Sequence, residues 1–273
     1  MPTQREKAER FRALHEGDGP FVMANPFDAG SARILAAMGF AALATSSGGF
    51  AGTLGRRDGE VTRDEALAHA RAVVEAVGLP VSADFENGFG HEPADAAKTV
   101  ELALGAGLAG CSIEDFTGDV EEPFYDLDKA AARIAASAAA AHATDIPFVL
   151  TGRAEGFIRG RTDLDEVIAR LRAYEEAGAD VLMAPALPDL AAVEKVCGSL
   201  TKPFSFMVGV PGRSFPVKDL AAIGVRRISL ATSLYRAAMG GLEAAAREAR
   251  DGGTFTYVED AMPSATLAGY MGS

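Results

Sequence analysis

One unit recurs along the chain: an Ala-rich amphipathic stretch, a glycine, then a short apolar run with polar residues at its end. It reads "AAMGFAALATSS" at 36–47, "EAVGLPVSADFE" at 75–86, "LGAGLAGCSIED" at 104–115, "EEAGADVLMAPAL" at 175–187 and "AAIGVRRISLATS" at 221–233. The glycine suits the left-handed position that closes a helix, and the apolar run suits a strand buried on both faces. "FVMANPF" (21–27), "PFVLTGRAE" (147–155) and "PFSFMVG" (203–209) supply three more strands. Helix-like stretches follow at 28–38, 62–77, 93–106, 127–142, 164–177, 188–197, 217–223 and 233–249, with Asp28 placed to cap the first. Eight strand–helix units in about 250 residues predict a parallel (β/α)8 TIM barrel. A doubly wound open sheet is the rival, but "NPFDAGSA" is not the glycine-rich phosphate turn that fold would carry after its first strand.

No Pro/Gly/Ser linker divides the chain, so residues 1–273 read as one barrel domain, with a leading helix in 1–20 and a helical C-terminal extension in 251–273. Lys and Arg number 26 against 38 Asp and Glu, a net charge of −12, and no basic block interrupts the chain. Nucleic acid and anionic membrane are therefore poor partners, and any anion site has to be built locally. The N-terminus "MPTQREKAERFRALHEGDGP" is charged and lacks the apolar core of a signal peptide, and no run approaches the length of a membrane span. Cys111 and Cys197 form no spacing motif, which fits a reducing, cytoplasmic setting. Cys111 opens its strand and reads as a small core residue.

A barrel places its site at the C-terminal ends of its strands. Thr45, Ser46, Ser47, Gly48 and Gly49 stand there after strand two; Asp84, Glu86 and Asn87 after strand three; Glu114 and Asp115 after strand four; Arg153 and Glu155 after strand five. Asp84 and Glu86 are two apart, which on a continuous strand would aim both at one face. With Glu114 alongside and no Lys, Cys or His among them, they would repel one another unless a hard cation, Mg²⁺ or Mn²⁺, lay between them directly or through its waters. A salt-bridged, solvated rim is the alternative. Arg153 can grip a substrate carboxylate in two-pronged fashion, or serve as a structural partner of Glu114 or Glu155. "TSSGG" can act as a small anion nest or as an ordinary turn, and Asp58 as a functional acid or a turn residue. None of the four histidines, His15, His69, His91 and His142, carries an assigned role. Cation, Arg and nest together suit a small 2-oxo or 2-hydroxy diacid.

The segments "NPFDAGSARI", "ATSSGGFAGTLGRRDGE", "SADFENGFG", "CSIED" and "TGRAEGF", in that order, resemble the isocitrate lyase/phosphoenolpyruvate mutase superfamily across roughly residues 18–250. The resemblance implies a Mg²⁺- or Mn²⁺-dependent enzyme that works through an enolate-like intermediate. It implies Asp84 as the direct metal ligand, with Asp58, Glu86 and Glu114 holding metal-bound waters. Ser46, with the backbone of Ser47 and Gly48, would bind the substrate carboxylate with Arg153, so that Arg153 and Asp58 become the candidate catalytic residues. It further implies a homotetramer, a dimer of dimers, in which the eighth helix is exchanged between subunits. The chain departs from the family in the loop after strand four. The lyases carry Lys-x-Cys-Gly-His there and the mutases an Asn-rich segment; this chain has "EDFTGDVEEPFYD", where a hydroxyl such as that of Tyr125 would have to substitute as proton donor. Met207 stands on strand seven where lyases present an Asn. The reaction that asks least of this loop is decarboxylation of oxaloacetate, followed by cleavage of a substituted malate. P–C bond chemistry, a non-catalytic metabolite-binding barrel, and a phosphate-site isomerase using "VGVPGRS" at 208–214 are the alternatives.

Overall fold

The computed structural model describes residues 1–272. Strands β1 (Phe21–Met23), β2 (Leu43–Ala44), β3 (Val81–Asp84), β4 (Gly110–Glu114), β5 (Val149–Arg153), β6 (Val181–Met183), β7 (Phe204–Met207) and β8 (Val225–Ser229) form one parallel sheet in the order 1-8-7-6-5-4-3-2. A parallel bridge between Ala24 and Leu43 joins the two ends, with the Ala44 N–H donating to the Ala24 carbonyl at 3.0 Å. This closes the barrel that the repeat predicts. The Asn25 amide tightens the seam: it donates to the Thr45 carbonyl (3.1 Å) and accepts from the Ser229 hydroxyl (3.2 Å) and the Leu230 N–H (3.0 Å).

Outside the barrel lie α2 (Ala29–Ala37), α4 (Arg63–Ala76), α5 (Pro93–Gly105), α6 (Leu127–Ala141), α7 (Leu164–Glu176), α8 (Leu190–Gly198) and α9 (Val217–Ala222), with α1 (Gln4–Glu16) at the N-terminus and a short α3 (Ser47–Thr53) after β2. Asp28 caps α2 as expected, accepting from the Ser31 N–H at 2.6 Å. The junction glycines Gly39, Gly107, Gly178 and Gly224 adopt φ of +89°, +85°, +101° and +90°. A side chain at these positions would be strained, which is why this residue recurs. Gly78 is the exception: α4 ends through Val77 in extended conformation, φ −138°. Cys111 is fully buried.

Helix α1 plugs the bottom of the barrel, where Ala8 and Phe11 pack with Ala109, Val149 and Val181. At the other end the chain leaves the barrel. Helix α10 (Ser233–Arg247) has no buried residue; a π turn (Glu248–Gly252) and a 3₁₀ turn (Thr256–Val258) follow, and α11 (Ser264–Met271) returns to α2, where Arg33 Nη1 donates to the Met271 carbonyl at 2.7 Å. Leu242, Phe255, Val258 and Met262 stay exposed along this arm. Among the described residues, no helix is long and apolar enough to cross a membrane.

Candidate active site

The C-terminal ends of β2 to β5 carry a ring of acids, and the chain sets each differently. Asp84 ends β3. Its Oδ2 accepts the Ser47 hydroxyl at 3.0 Å, its Oδ1 accepts the Glu86 N–H (3.3 Å) and the Ser112 hydroxyl (3.4 Å), and the Thr45 hydroxyl holds its own N–H at 3.1 Å. Glu86 does not continue the strand as expected. The strand stops at Asp84, and Glu86 turns with φ +49°, a conformation uncommon for a side chain larger than Gly or Asn and characteristic of functional turns. The two acids therefore meet through a kink rather than through strand alternation. Asp115 turns away from the mouth: it accepts the Tyr174 hydroxyl (2.6 Å), Arg170 Nη1 (3.1 Å) and the Glu155 N–H (2.8 Å), and so anchors the end of β5.

Arg153 stands in the centre. Its Nε lies 2.5 Å from Glu155 and 3.4 Å from Glu114, and its Nη1 lies 3.5 Å from Asp84. It thus has the structural partners that the sequence left as an alternative, and it also faces the cavity. Arg159, on the 3₁₀ turn Gly156–Arg159, reaches Glu155 at 3.2 Å and Glu114 at 3.9 Å while covering the Phe116 ring. Sequence reading passed over Arg159 because "GFIRG" carries no strand or helix period that would aim it at the mouth.

Two spaces meet at Ser47, Asp58 and Arg153. One, of 210 Å³, runs down the barrel axis past Ser82, Ser112 and Met207 to Arg227; the other, of 630 Å³, is an open groove beside Glu86, Glu114 and Phe116. At the mouth five carboxylates (Asp58, Asp84, Glu86, Glu114, Glu155) gather around Arg153 and Arg159, while Arg227 and Arg236 also line the cavity. Burial, with repulsion from Asp84 and then Asp58, pushes Glu86 up to about 8. Burial and then Glu155 hold Glu114 well above the carboxylate range. Asp58 is raised by lost hydration and then by Asp84: the residue is open to solvent, but its carboxyl turns inward toward Gly48, where a Cβ would stand 3.3 Å from it. Every available donor is an oxygen, the preference of Mg²⁺ or Mn²⁺. Among the described residues no three acids form a ready-made cage, so the donor set fits an ion with one direct carboxylate and the rest at a water's remove.

These shifts give a pH dependence with a definite sign. Between the ordinary Glu value of 4.5 and about 8, the folded metal-free protein keeps a proton on Glu86 that the unfolded chain has lost. Stability from this group is therefore full below 4.5 and is lost as pH rises toward 8. A divalent cation competes with that proton. The rise in Tm produced by Mg²⁺ is expected to be larger at pH 8 than at pH 6, as differential scanning fluorimetry with an added dye would report; an equal or smaller rise at pH 8 would contradict it.

The glycine-rich stretch after β2 is a helix start rather than a simple turn. Ser46 caps α3, accepting from the Gly49 N–H at 3.3 Å, and the Ser47 N–H leans on Asp84 at 3.5 Å. Of this turn's donors, the Gly48 N–H has no partner among the described residues. Gly48 is held in place by crowding, since a Cβ there would lie 3.0 Å from Thr232. Tyr125, the speculative proton donor, is buried with its hydroxyl against His91 (2.9 Å) and Asn87 (3.3 Å), and it lines neither space. The "VGVPGRS" segment is no phosphate cradle: the Gly209 N–H is spent on the Ser214 hydroxyl at 3.0 Å.

Residues 11–250 match the family model described as phosphoenolpyruvate phosphomutase. The 2-methylisocitrate lyase of Escherichia coli K12 is 29% identical over 263 residues, covering 92% of this chain and 87% of that protein. An oxaloacetate decarboxylase of Ectopseudomonas mendocina (strain ymp) is 28% identical, covering 91% and 86%. Among solved structures, a Burkholderia cenocepacia J2315 protein provisionally described as a lyase/mutase superposes with a TM-score of 0.97 at 46% identity, covering 99% of this chain and 97% of that one.

Proposed function

The chain belongs to the isocitrate lyase/phosphoenolpyruvate mutase superfamily and is a carbon–carbon lyase of it, and on that premise we propose that it decarboxylates oxaloacetate or a close 2-oxo diacid. The observation that carries this reading is the cluster of Asp58, Asp84, Glu86 and Glu114 where the cavity and the groove meet, with Arg153 at its edge. In this reading Asp84 holds a Mg²⁺ or Mn²⁺ ion directly, and Asp58, Glu86 and Glu114 hold its waters. The ion would polarise the 2-oxo group and take up the charge left when the neighbouring C–C bond breaks.

The chain's own residues do the positioning. Glu155 and Glu114 hold Arg153 with its guanidinium at the cavity, where it can grip a carboxylate; the Ser46–Gly48 turn offers the Gly48 N–H to the same group. Ser47 and Ser112 keep Asp84 oriented through its two oxygens. Loop 116–125, pinned where the Thr117 N–H meets the Pro123 carbonyl at 3.0 Å, presents Phe116, Thr117, Gly118 and Val120 to the groove. The loop supplies no thiol or imidazole, and His91, the imidazole that lines the same groove, is tied to the Tyr125 hydroxyl at 2.9 Å, so the leaving fragment is best a neutral one such as CO₂, with solvent returning the proton afterwards. Substituted-malate cleavage, which needs a protein acid at the leaving carbon, is the second reading. Purified protein with Mg²⁺ should convert oxaloacetate to pyruvate and CO₂, and EDTA should stop it. Oxalate binding without turnover of any 2-oxo acid would instead mark a metabolite-binding barrel, and turnover of phosphonopyruvate alone would move the chemistry to P–C bonds.

The bare arm supports a second proposal, assembly into a dimer of dimers with α10 exchanged between subunits. A helix without one buried residue, followed by exposed Leu242, Phe255 and Val258, lacks the packing that stabilises helices in folded proteins. Sedimentation should show an oligomer, and Leu242→Glu with Phe255→Glu should shift it toward monomer; a wild-type monomer would contradict the proposal.

A further inference from the structure

The strand ends divide the barrel mouth into two arcs. The last residues of β3, β4 and β5 are Asp84, Glu114 and Arg153; the last residues of β6, β7 and β1 are Met183, Met207 and Met23. Three of the chain's eight methionines thus stand at the level where a barrel meets its substrate. All three are buried and line the 210 Å³ cavity, and Val208, Val210 and Ile158 line the same space. Met183 is the register partner of Arg153, so the apolar arc begins one strand from the guanidinium.

The two further arginines on this cavity are held by the chain itself. Arg227 donates from Nε to the Ser205 hydroxyl (2.8 Å) and from Nη2 to the Thr151 hydroxyl (3.0 Å), with Nη1 3.5 Å from His15 Nε2. Arg236 Nη1 donates to the Gly209 carbonyl at 3.0 Å. The methionines, by contrast, border a volume that holds about seven waters at liquid density. Water against thioether and alkyl surface is displaced favourably by any methylene that takes its place. The unbranched, polarisable methionine side chain also adapts to occupants of different shape.

The junction of the two spaces shows which substrate carbon would carry such a group. Cavity and groove meet at Ser47, Asp58 and Arg153, where the lyase reading holds the 2-oxo acid end. C3 is the next atom, and it bears the carboxylate that leaves. With that carboxylate on the groove side, beside loop 116–125 and free to depart as CO₂, the other substituent of C3 is directed into the cavity.

We propose that Met23, Met183 and Met207 form a pocket for an alkyl group on C3, which makes the preferred substrate a 3-alkyl oxaloacetate rather than oxaloacetate itself. This rests on the lyase reading above and adds the specificity that reading lacks. The C3–C4 bond breaks, its electron pair becomes the C2–C3 double bond of the enolate, C4 leaves as CO₂, and a solvent proton returns to C3. The product is a 2-oxo monoacid that keeps the alkyl group, as 2-oxobutanoate does from the 3-methyl compound.

The test titrates Mg²⁺-loaded protein calorimetrically with pyruvate, 2-oxobutanoate and 2-oxopentanoate, the products for hydrogen, methyl and ethyl on C3. Affinity is expected to rise about fourfold with each added methylene. The kcat/KM for 3-methyloxaloacetate should exceed that for oxaloacetate by at least about the same factor, which gives the answer where product binding is weak. Met207→Asn should flatten both series, whereas Met207→Leu, of similar volume, should keep them. Because ligands are compared on one variant, a general loss of fold or activity does not imitate this result. Values flat or falling with chain length in the wild type, or a slope that Met207→Asn leaves intact, would overturn the pocket and leave the lyase reading standing. Failure of oxalate to bind and of either diacid to turn over would overturn the lyase reading first, and the pocket with it.

Discussion

Replacing Asp84 with Ala is expected to lower oxaloacetate turnover about a thousandfold at saturating Mg²⁺, with the fold intact. Lewis-acid stabilisation by a bound ion contributes several kcal/mol to such a transition state, and roughly 4 kcal/mol corresponds to that factor. Asp84 lines the cavity and is oriented by Ser47 on one oxygen and Ser112 on the other. The same change relieves Glu86, whose raised value owes its second contribution to Asp84. Metal-free Asp84→Ala should therefore melt no lower than wild type near pH 8, while activity is lost. Steady-state kinetics beside a melting curve separates the two effects. Turnover retained within tenfold would remove Asp84 from the chemistry.

Arg153→Met should do the reverse, damaging stability as well as activity. It leaves Glu155, fully buried, and Glu114, 6% exposed, with only the outlying Arg159. Breaking a buried ion-pair network from one side costs about 3–5 kcal/mol. For a chain of this size that lowers Tm by about 10 °C. The deficit should shrink as pH falls, because Glu114, already raised by burial and then by Glu155, takes up a proton once Arg153 no longer opposes it, and should shrink on adding Mg²⁺ if the ion shares that field. Arg153→Lys keeps the charge and should recover most of the stability, but not the two-pronged grip on substrate. A Met variant as stable as wild type at pH 8 would mean that the acids are neutral there and that Arg153 does not hold the mouth together.

The barrel was legible because its signals are local and repeated. The junction glycines, Asp28 as a cap and the apolar strand cores placed most helix and strand limits within a residue or two. Helix α3 was hidden, since "SGGFAGT" carries three glycines, each costing about 1 kcal/mol in a helix, and only the tertiary contacts of Thr232 and Tyr235 explain two of them, Gly48 and Gly52. The acids were legible as residues but not as geometry. Positive φ at Glu86 has no sequence mark, so a rule of alternation that holds through Asp84 fails two residues later. Glu155 read as a neighbour of Arg153, and its full burial beneath it became visible only when β4 and β5 were set side by side. Arg227 was the hardest to see. In "VRRIS" two arginines are adjacent, and only the facing of β8 shows which one enters the barrel.

The central claim is that the acidic mouth holds one divalent cation through Asp84. Titration of metal-free protein with Mn²⁺ at pH 8, followed by the loss of the free-ion EPR signal, tests it without reference to any substrate. One ion per chain, displaced by Mg²⁺ and lost in Asp84→Asn, is the predicted result. No bound Mn²⁺, or binding that Asp84→Asn leaves untouched, would contradict it.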